Sequence, residues 1–133
     1  MNTFTLLLQD ASHSERIDDV NSFVGEDASG SFGILAGHCR VMTTLVTGLA
    51  RFRIGDTNWQ YLAMPGAVLY FLDNVLTLNT RRYLRDEDYT RISAALQEQL
   101  LAEEEQLHAT RESLRRMEES LLKRLWELEH KGG

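Results

Sequence analysis

Seven of the nine glycines and the only proline lie within residues 1–66, and neither residue type occurs between Ala67 and Lys131. Glycine and proline are the strongest punctuators of local structure. The chain therefore divides into a region of many turns and a long region that nothing interrupts. With 133 residues it fits one small domain with an appendage and excludes architectures that need about 200 residues. Strand-forming segments recur about every ten residues in the first region, at Phe4–Leu8, Arg16–Val24, Gly33–Leu35, Val41–Val46, Leu49–Ile54, Trp59–Met64, Ala67–Leu72 and Val75–Leu78. Between them stand Gly25-Glu26-Asp27, Ser29-Gly30, Gly55-Asp56, Pro65-Gly66 and Asp73-Asn74, all turn formers. This pattern predicts an antiparallel β-sandwich or barrel over residues 1–84.

From Asp86 the period changes. Asp86, Glu87 and Asp88 are placed to supply an N-cap and first-turn acids, and Lys131-Gly132-Gly133 reads as a basic last turn followed by glycine. Leu100, Leu107, Leu114, Leu121 and Leu128 recur every seven residues and draw one apolar stripe along a second domain, residues 85–133. Leu107, Leu114 and Leu121 are expected to form a buried seam. A homodimeric coiled coil fits poorly, because Glu104, Arg111 and Glu118 fill three of the four alternate seam positions. About 46 residues in one straight helix measure roughly 69 Å, more than twice the roughly 30 Å of a compact sandwich. A fold-back near His108 and Thr110, weak helix formers, would match the two lengths. The expected fold class is α+β, an N-terminal antiparallel β-sandwich followed by a C-terminal helical hairpin or a single long helix.

Charge and chemistry narrow the function. Twenty acidic against fourteen basic residues give a net charge of -6, which repels a phosphate backbone and argues against a nucleic-acid partner. Cys39 is alone, so no intrachain disulfide forms, and with no signal-peptide pattern at the start the expectation is a bacterial cytoplasmic location. The longest apolar run, Ala67–Leu72, is far short of a membrane span. His13, His38, His108 and His130 lack metal-binding spacing, so no metal and no cofactor are expected. Glu103-Glu104-Glu105 spreads its carboxylates around a helix, and Ser12-His13-Ser14 reads as a polar turn rather than a nucleophile with its base. No catalytic residue emerges. Gly30-Ser31-Phe32-Gly33 lacks the lysine and following helix of a phosphate loop, and its glycines fit a strained turn or close approach.

The stretch Gly30-Ser31-Phe32-Gly33-Ile34-Leu35-Ala36-Gly37-His38 resembles the G-x-x-G-I-L-P-G-H signature of ATP synthase epsilon subunits, with Ala36 in place of the proline. Gly66-Ala67-Val68-Leu69-Tyr70-Phe71-Leu72-Asp73-Asn74-Val75-Leu76-Thr77-Leu78 is similar to the family's G-G-F-L-E-V-x-D-N-x-V-T-I-L, with Ala67 in place of the second glycine. The resemblance runs in order from residue 4 to about 92, with family spacing.

It implies a ten-strand β-sandwich with two C-terminal helices, in a non-catalytic rotor subunit, monomeric when isolated, that joins the gamma subunit to the membrane c ring at the cytoplasmic face of a bacterial membrane. Gly30, Ser31, Phe32, Gly33 and His38 would then face the c ring, while a sandwich face and the tail, with Leu107, Leu114 and Leu121, would meet gamma. In this family the tail can also enter the catalytic head and restrain ATP hydrolysis. Some members bind ATP through [I/L]-D-x-x-R-A. Asp88 and Arg91 keep the acid and the arginine, Glu87 and Ile92 replace the flanking residues, and such a pair at i, i+3 is also an ordinary surface pair. The alternative from another class is a free-standing β-sandwich adaptor with a dimerising helical tail.

Overall fold

A computed structural model describes residues 2–131. The chain forms two compact units, one ending at Leu96 and the other beginning at Gln97. The first holds β1 (Phe4–Gln9), β2 (Ser14–Asp27), β3 (Gly30–Ile34), β4 (Val41–Leu45), β5 (Gly48–Ile54), β6 (Gln60–Met64), β7 (Ala67–Leu72), β8 (Val75–Asn79) and β9 (Leu84–Asp86). These hydrogen-bond in the order β1-β8-β7-β4-β2-β5-β6-β9, with β3 on β2 and β1 also on β2. Every pairing is antiparallel except β1 with β8, which run parallel from Thr5↔Val75 to Gln9↔Asn79. The eight segments read from the sequence are all strands, and β9 is the addition. It is three residues long, too short to show a period, and it exists because β6 offers an edge on which Leu84 pairs with Ala63 and Asp86 with Tyr61.

Alternation drives the packing. Phe4, Leu6 and Leu8 of β1, Leu69 and Phe71 of β7, and Leu76 and Leu78 of β8 point inward, and on the facing side Phe23, Phe52 and Leu62 do the same. Burying a large apolar side chain contributes about 1.5–3 kcal/mol, so this interior is what holds the sandwich. Phe4 and Phe71 meet edge to face with centroids 5.6 Å apart, the arrangement that aromatic quadrupoles favour.

Strand β2 departs from strict alternation. Its buried apolar side chains are Ile17, Val20 and Phe23, three apart, and Gly25 is buried two residues further on. An extra residue sits between Ile17 and Val20, where they oppose Leu6 and Phe4, and another between Val20 and Ser22, where they oppose Ile54 and Arg53. Asp19 takes a positive φ of 62° at the first irregularity. Such bulges bend and twist a strand, so the first half of β2 pairs with β1 and the second half with β3 and β5.

The helix α1 (Tyr89–Lys131) runs 43 residues without interruption, so the single long helix, not the hairpin, is present. His108 and Thr110 lie within it; Thr110 satisfies its hydroxyl on the Gln106 carbonyl at 2.9 Å, as threonine does inside a helix. The expected first-turn acids all precede the helix. Asp86 is held in β9, and only Asp88 caps, accepting the Arg91 amide at 3.1 Å. Because β9 and the buried Ile92 belong to the sheet unit, that unit extends past the punctuation change near residue 84. The expected glycine stop, Gly132-Gly133, lies outside the described residues.

Phe23→Ala is expected to destabilise the sheet unit by about 3–5 kcal/mol, since its ring is fully buried in the core and truncating it leaves a cavity. Urea unfolding followed by tyrosine and tryptophan fluorescence measures this; a loss under about 1 kcal/mol would show the interior to be loosely packed.

Candidate functional site

The glycine-rich segment is two structures in sequence. Gly30–Ile34 is strand β3, paired residue for residue with β2 from Asp27↔Gly30 to Phe23↔Ile34. Gly30 has φ 126°, whereas Gly33 has no positive φ and a Cβ there would meet only the Phe23 carbonyl at 3.7 Å. The strained-turn reading holds for Gly30 and fails for Gly33, because strand pairing keeps Gly33 extended. Ser31 and Gly33 are exposed, while Phe32 is half-buried against the core. The true turn follows, at residues 35–38. Gly37 has φ 78°, and the His38 amide donates to the Leu35 carbonyl at 3.1 Å. Leu35 is 62% exposed, a large apolar side chain at a tip. The His38 Nδ1–H donates to the Cys39 carbonyl at 2.7 Å and its ring stands edge to face on Phe71, 5.9 Å away. These contacts leave the imidazole exposed but oriented.

The Asp88 carboxylate takes the Arg91 backbone amide, and the Arg91 side chain goes elsewhere. The Arg91 guanidinium makes two hydrogen bonds to Asp86, Nε to Oδ2 at 2.5 Å and Nη2 to Oδ1 at 2.6 Å. Asp86 also accepts the Asp88 amide at 2.9 Å. Hydrogen bonds from the arginine, then from that amide, hold the Asp86 carboxyl well below the usual aspartate range, and the Arg91 guanidinium is pushed up in turn. With Asp88 turned to the helix end, both residues of the ATP-like motif are engaged by their own chain. Asp86 was invisible in the motif because its pairing depends on β9 ending where the helix begins.

A second polar cluster lies between the start of β2 and β9. Tyr83 donates to Glu15 Oε2 at 2.8 Å and faces His13 Nε2 at 3.3 Å, while Arg85 bonds Glu15 and also Gln60 Oε1, the latter at 2.7 Å. Burial first, then the Glu15 carboxylate, pushes the Tyr83 phenol up to about 12. In the adjoining turn Asp10 Oδ1 accepts the amides of Ser12 and His13, each at 2.8 Å. Ser12 Oγ and Asp10 Oδ1 both address His13 Nδ1, at 3.2 and 3.1 Å. A Ser-His-Asp relay needs them on opposite ring nitrogens, so the turn cannot run that chemistry. Among the described residues no three His, Cys, Asp or Glu side chains are grouped to hold a metal ion, and no helix is long and apolar enough to cross a membrane.

Leu107, Leu114 and Leu121 lie on one face of α1 but are 52%, 59% and 59% exposed. The chain by itself does not bury this seam: one helix cannot cover its own stripe, and a stripe spaced by sevens needs a second apolar surface.

Comparisons with known proteins bear on the first unit. Residues 4–86 match the model of the ATP synthase delta/epsilon chain β-sandwich domain. The chain is 36% identical over 84 residues to ATP synthase epsilon chain 2 of Cereibacter sphaeroides, which covers 62% of this chain and 58% of that protein. The chain thus spans somewhat over half the length of that relative. In fold it is similar to a chain in the cryo-EM structure of the Euglena gracilis mitochondrial ATP synthase OSCP/F1/c-ring, with a TM-score of 0.59 and 20% identity, covering 72% of this chain and 62% of that one. It is also similar to a chain in the Tetrahymena thermophila mitochondrial ATP synthase central stalk and c-ring, with a TM-score of 0.52 and 13% identity over 60% and 64% of the two chains.

Two titrations check the site. Followed by carboxyl-carbon NMR, Asp86 is expected to titrate below an ordinary aspartate's value of about 3.9. A depressed folded pKa stabilises the folded state fully above the unfolded value, and that contribution fades as pH falls below about 3.9. In Arg91→Ala the Asp86 midpoint should rise, though not fully, because the Asp88 amide remains. An unchanged midpoint would mean that the ion pair does not form in solution. Tyr83 is expected to ionise near pH 12 by ultraviolet absorbance, and Glu15→Gln should bring its midpoint down.

Proposed function

The chain belongs to the ATP synthase delta/epsilon chain family, and from that premise we propose that it is a non-catalytic rotor subunit of a rotary ATP synthase, joining the gamma subunit to the membrane c ring. The observation that carries this reading is the family match over residues 4–86, which takes in all of β1 to β9. The 35–38 turn is the part proposed to meet the ring. It presents Leu35 and His38 to solvent on a backbone fixed by its own hydrogen bond, as a contact surface must if its ordering is not to be charged against binding. The work would be mechanical coupling at the cytoplasmic face of a bacterial membrane, with the protein attached peripherally.

The tail is proposed to add regulation. An exposed leucine stripe on a 43-residue helix is available to a partner with an apolar groove, and the gamma subunit or the catalytic head would supply one. A helix that gains such contacts in one state of the complex can restrain ATP hydrolysis in that state. No nucleotide is assigned to Asp88 and Arg91, whose polar groups are taken up by the N-cap and by Asp86.

Reconstitution with gamma and the c ring tests both parts. Leu35→Asp places a charge on an exposed tip, so the fold is expected to survive while ring attachment weakens roughly tenfold or more, a change of about 1.4 kcal/mol or more. Unaltered attachment would remove the 35–38 turn from the interface. A chain ended after Leu96 should still assemble, and the complex carrying it should hydrolyse ATP faster than one carrying the full chain. Equal rates would reject the regulatory role and leave the coupling role standing.

A further inference from the structure

The 35–38 turn is held from outside by a residue of a different hairpin. Asp73 and Asn74 are the two central residues joining β7 to β8, where Leu72 pairs with Val75. Both have positive φ, 50° and 59°, as a two-residue connection of the primed type requires. Asn74 then makes two contacts beyond its own hairpin. Its Oδ1 accepts the Gly37 amide at 2.7 Å, and its backbone carbonyl accepts the Thr5 amide at 3.0 Å.

The first contact is not needed by the hairpin. Glycine at the second central position would satisfy the positive φ at least as well. What glycine lacks is an acceptor, and among side chains that tolerate this backbone region only asparagine and aspartate offer a short one. The Gly37 amide is where that acceptor is used. Gly37 has φ 78°, with nothing within 4 Å of the place a Cβ would occupy; packing reaches the turn only beside it, through Ala36 on the core and the His38 ring on Phe71. Inside the turn, the bond from the His38 amide to the Leu35 carbonyl closes the backbone. The bond to Asn74 ties the closed turn to the sheet.

We propose that Asn74 is a positioning residue for the 35–38 turn: it touches no partner, and it sets where Leu35 and His38 are presented. This rests on the reading of that turn as a contact of the rotor subunit. Two variants separate its roles. Asn74→Gly keeps the hairpin and removes the acceptor; Asn74→Asp keeps both.

In the full-length chain, Asn74→Gly should leave the melting temperature within a few degrees of wild type. Its Gly37 amide, followed by NMR, should exchange with water roughly five- to tenfold faster, the loss of one ordinary hydrogen bond. Attachment to the reconstituted gamma and c-ring assembly should weaken by a similar factor, and Asn74→Asp should restore both. Unchanged Gly37 exchange in Asn74→Gly would overturn the proposal. So would full attachment of Asn74→Gly in a series where Leu35→Asp attaches poorly, because the turn would then be a contact that Asn74 does not position. If Leu35→Asp and Asn74→Gly both attach normally, the ring contact itself falls and the positioning role falls with it.

Discussion

The sheet unit depends on one strand that serves two neighbourhoods. Over its 14 residues β2 pairs first with β1 and then with β3 and β5, and at its end Asp27 sits opposite Leu45 of β4. A straight strand of that length would keep its inward positions two apart and stay on one layer. The two extra residues of β2 instead space Ile17, Val20 and Phe23 by threes, and all three are buried. The bend is a means of keeping one apolar face inward while the partner strands change. Asn21 reinforces it by donating to the Gly55 carbonyl at 2.8 Å, which ties the bend to the turn after β5.

That closure fixes where the exposed features lie. The second half of β2 holds β3 in register, so the segment beginning at Gly30 is a pinned strand and only its continuation is a turn. The parallel pairing of β1 with β8 brings the start of β1 to the β7–β8 connection, where Asn74 receives the Thr5 amide. Three segments distant in sequence therefore meet around Asn74. The 35–38 turn takes its order from that meeting together with Ala36 against the core and the His38 ring on Phe71, and so a small loop presents an apolar tip from a fixed backbone.

The join between strand and helix follows the same logic. Asp86 closes β9 by pairing with Tyr61 and at once takes up the Arg91 guanidinium, while Asp88 turns its carboxylate to the helix end. Two acids two residues apart thus do different work, one set by the sheet ladder and the other by the unsatisfied amides of a helix start. The arginine is 70% exposed, so the pair is a geometric device for the first turn more than a large source of stability.

The sequence by itself determined the eight strands that show a period or a run, the change of organisation in the eighties and a helical region beyond it, but not that this region is one helix, nor which of Asp86, Glu87 and Asp88 caps it. It also carried the motifs that the family match over residues 4–86 supports. Those features are local: alternation, turn chemistry and the absence of glycine and proline act within a few residues of chain. Tertiary structure alone decided the rest. Strand β9 needed the free edge of β6, and the parallel β1–β8 pair joins strands some seventy residues apart in the chain. Arg91 was drawn from Asp88 to Asp86 by a strand end that no motif shows. Gly33 looked like a turn glycine until β2 held it extended. The leucine stripe was legible as a stripe, but whether it is covered is a property of what stands opposite, and α1 presents it to solvent. A pattern fixes which face of an element is apolar, whereas the partner of that face is set by surfaces that meet only after the chain has folded.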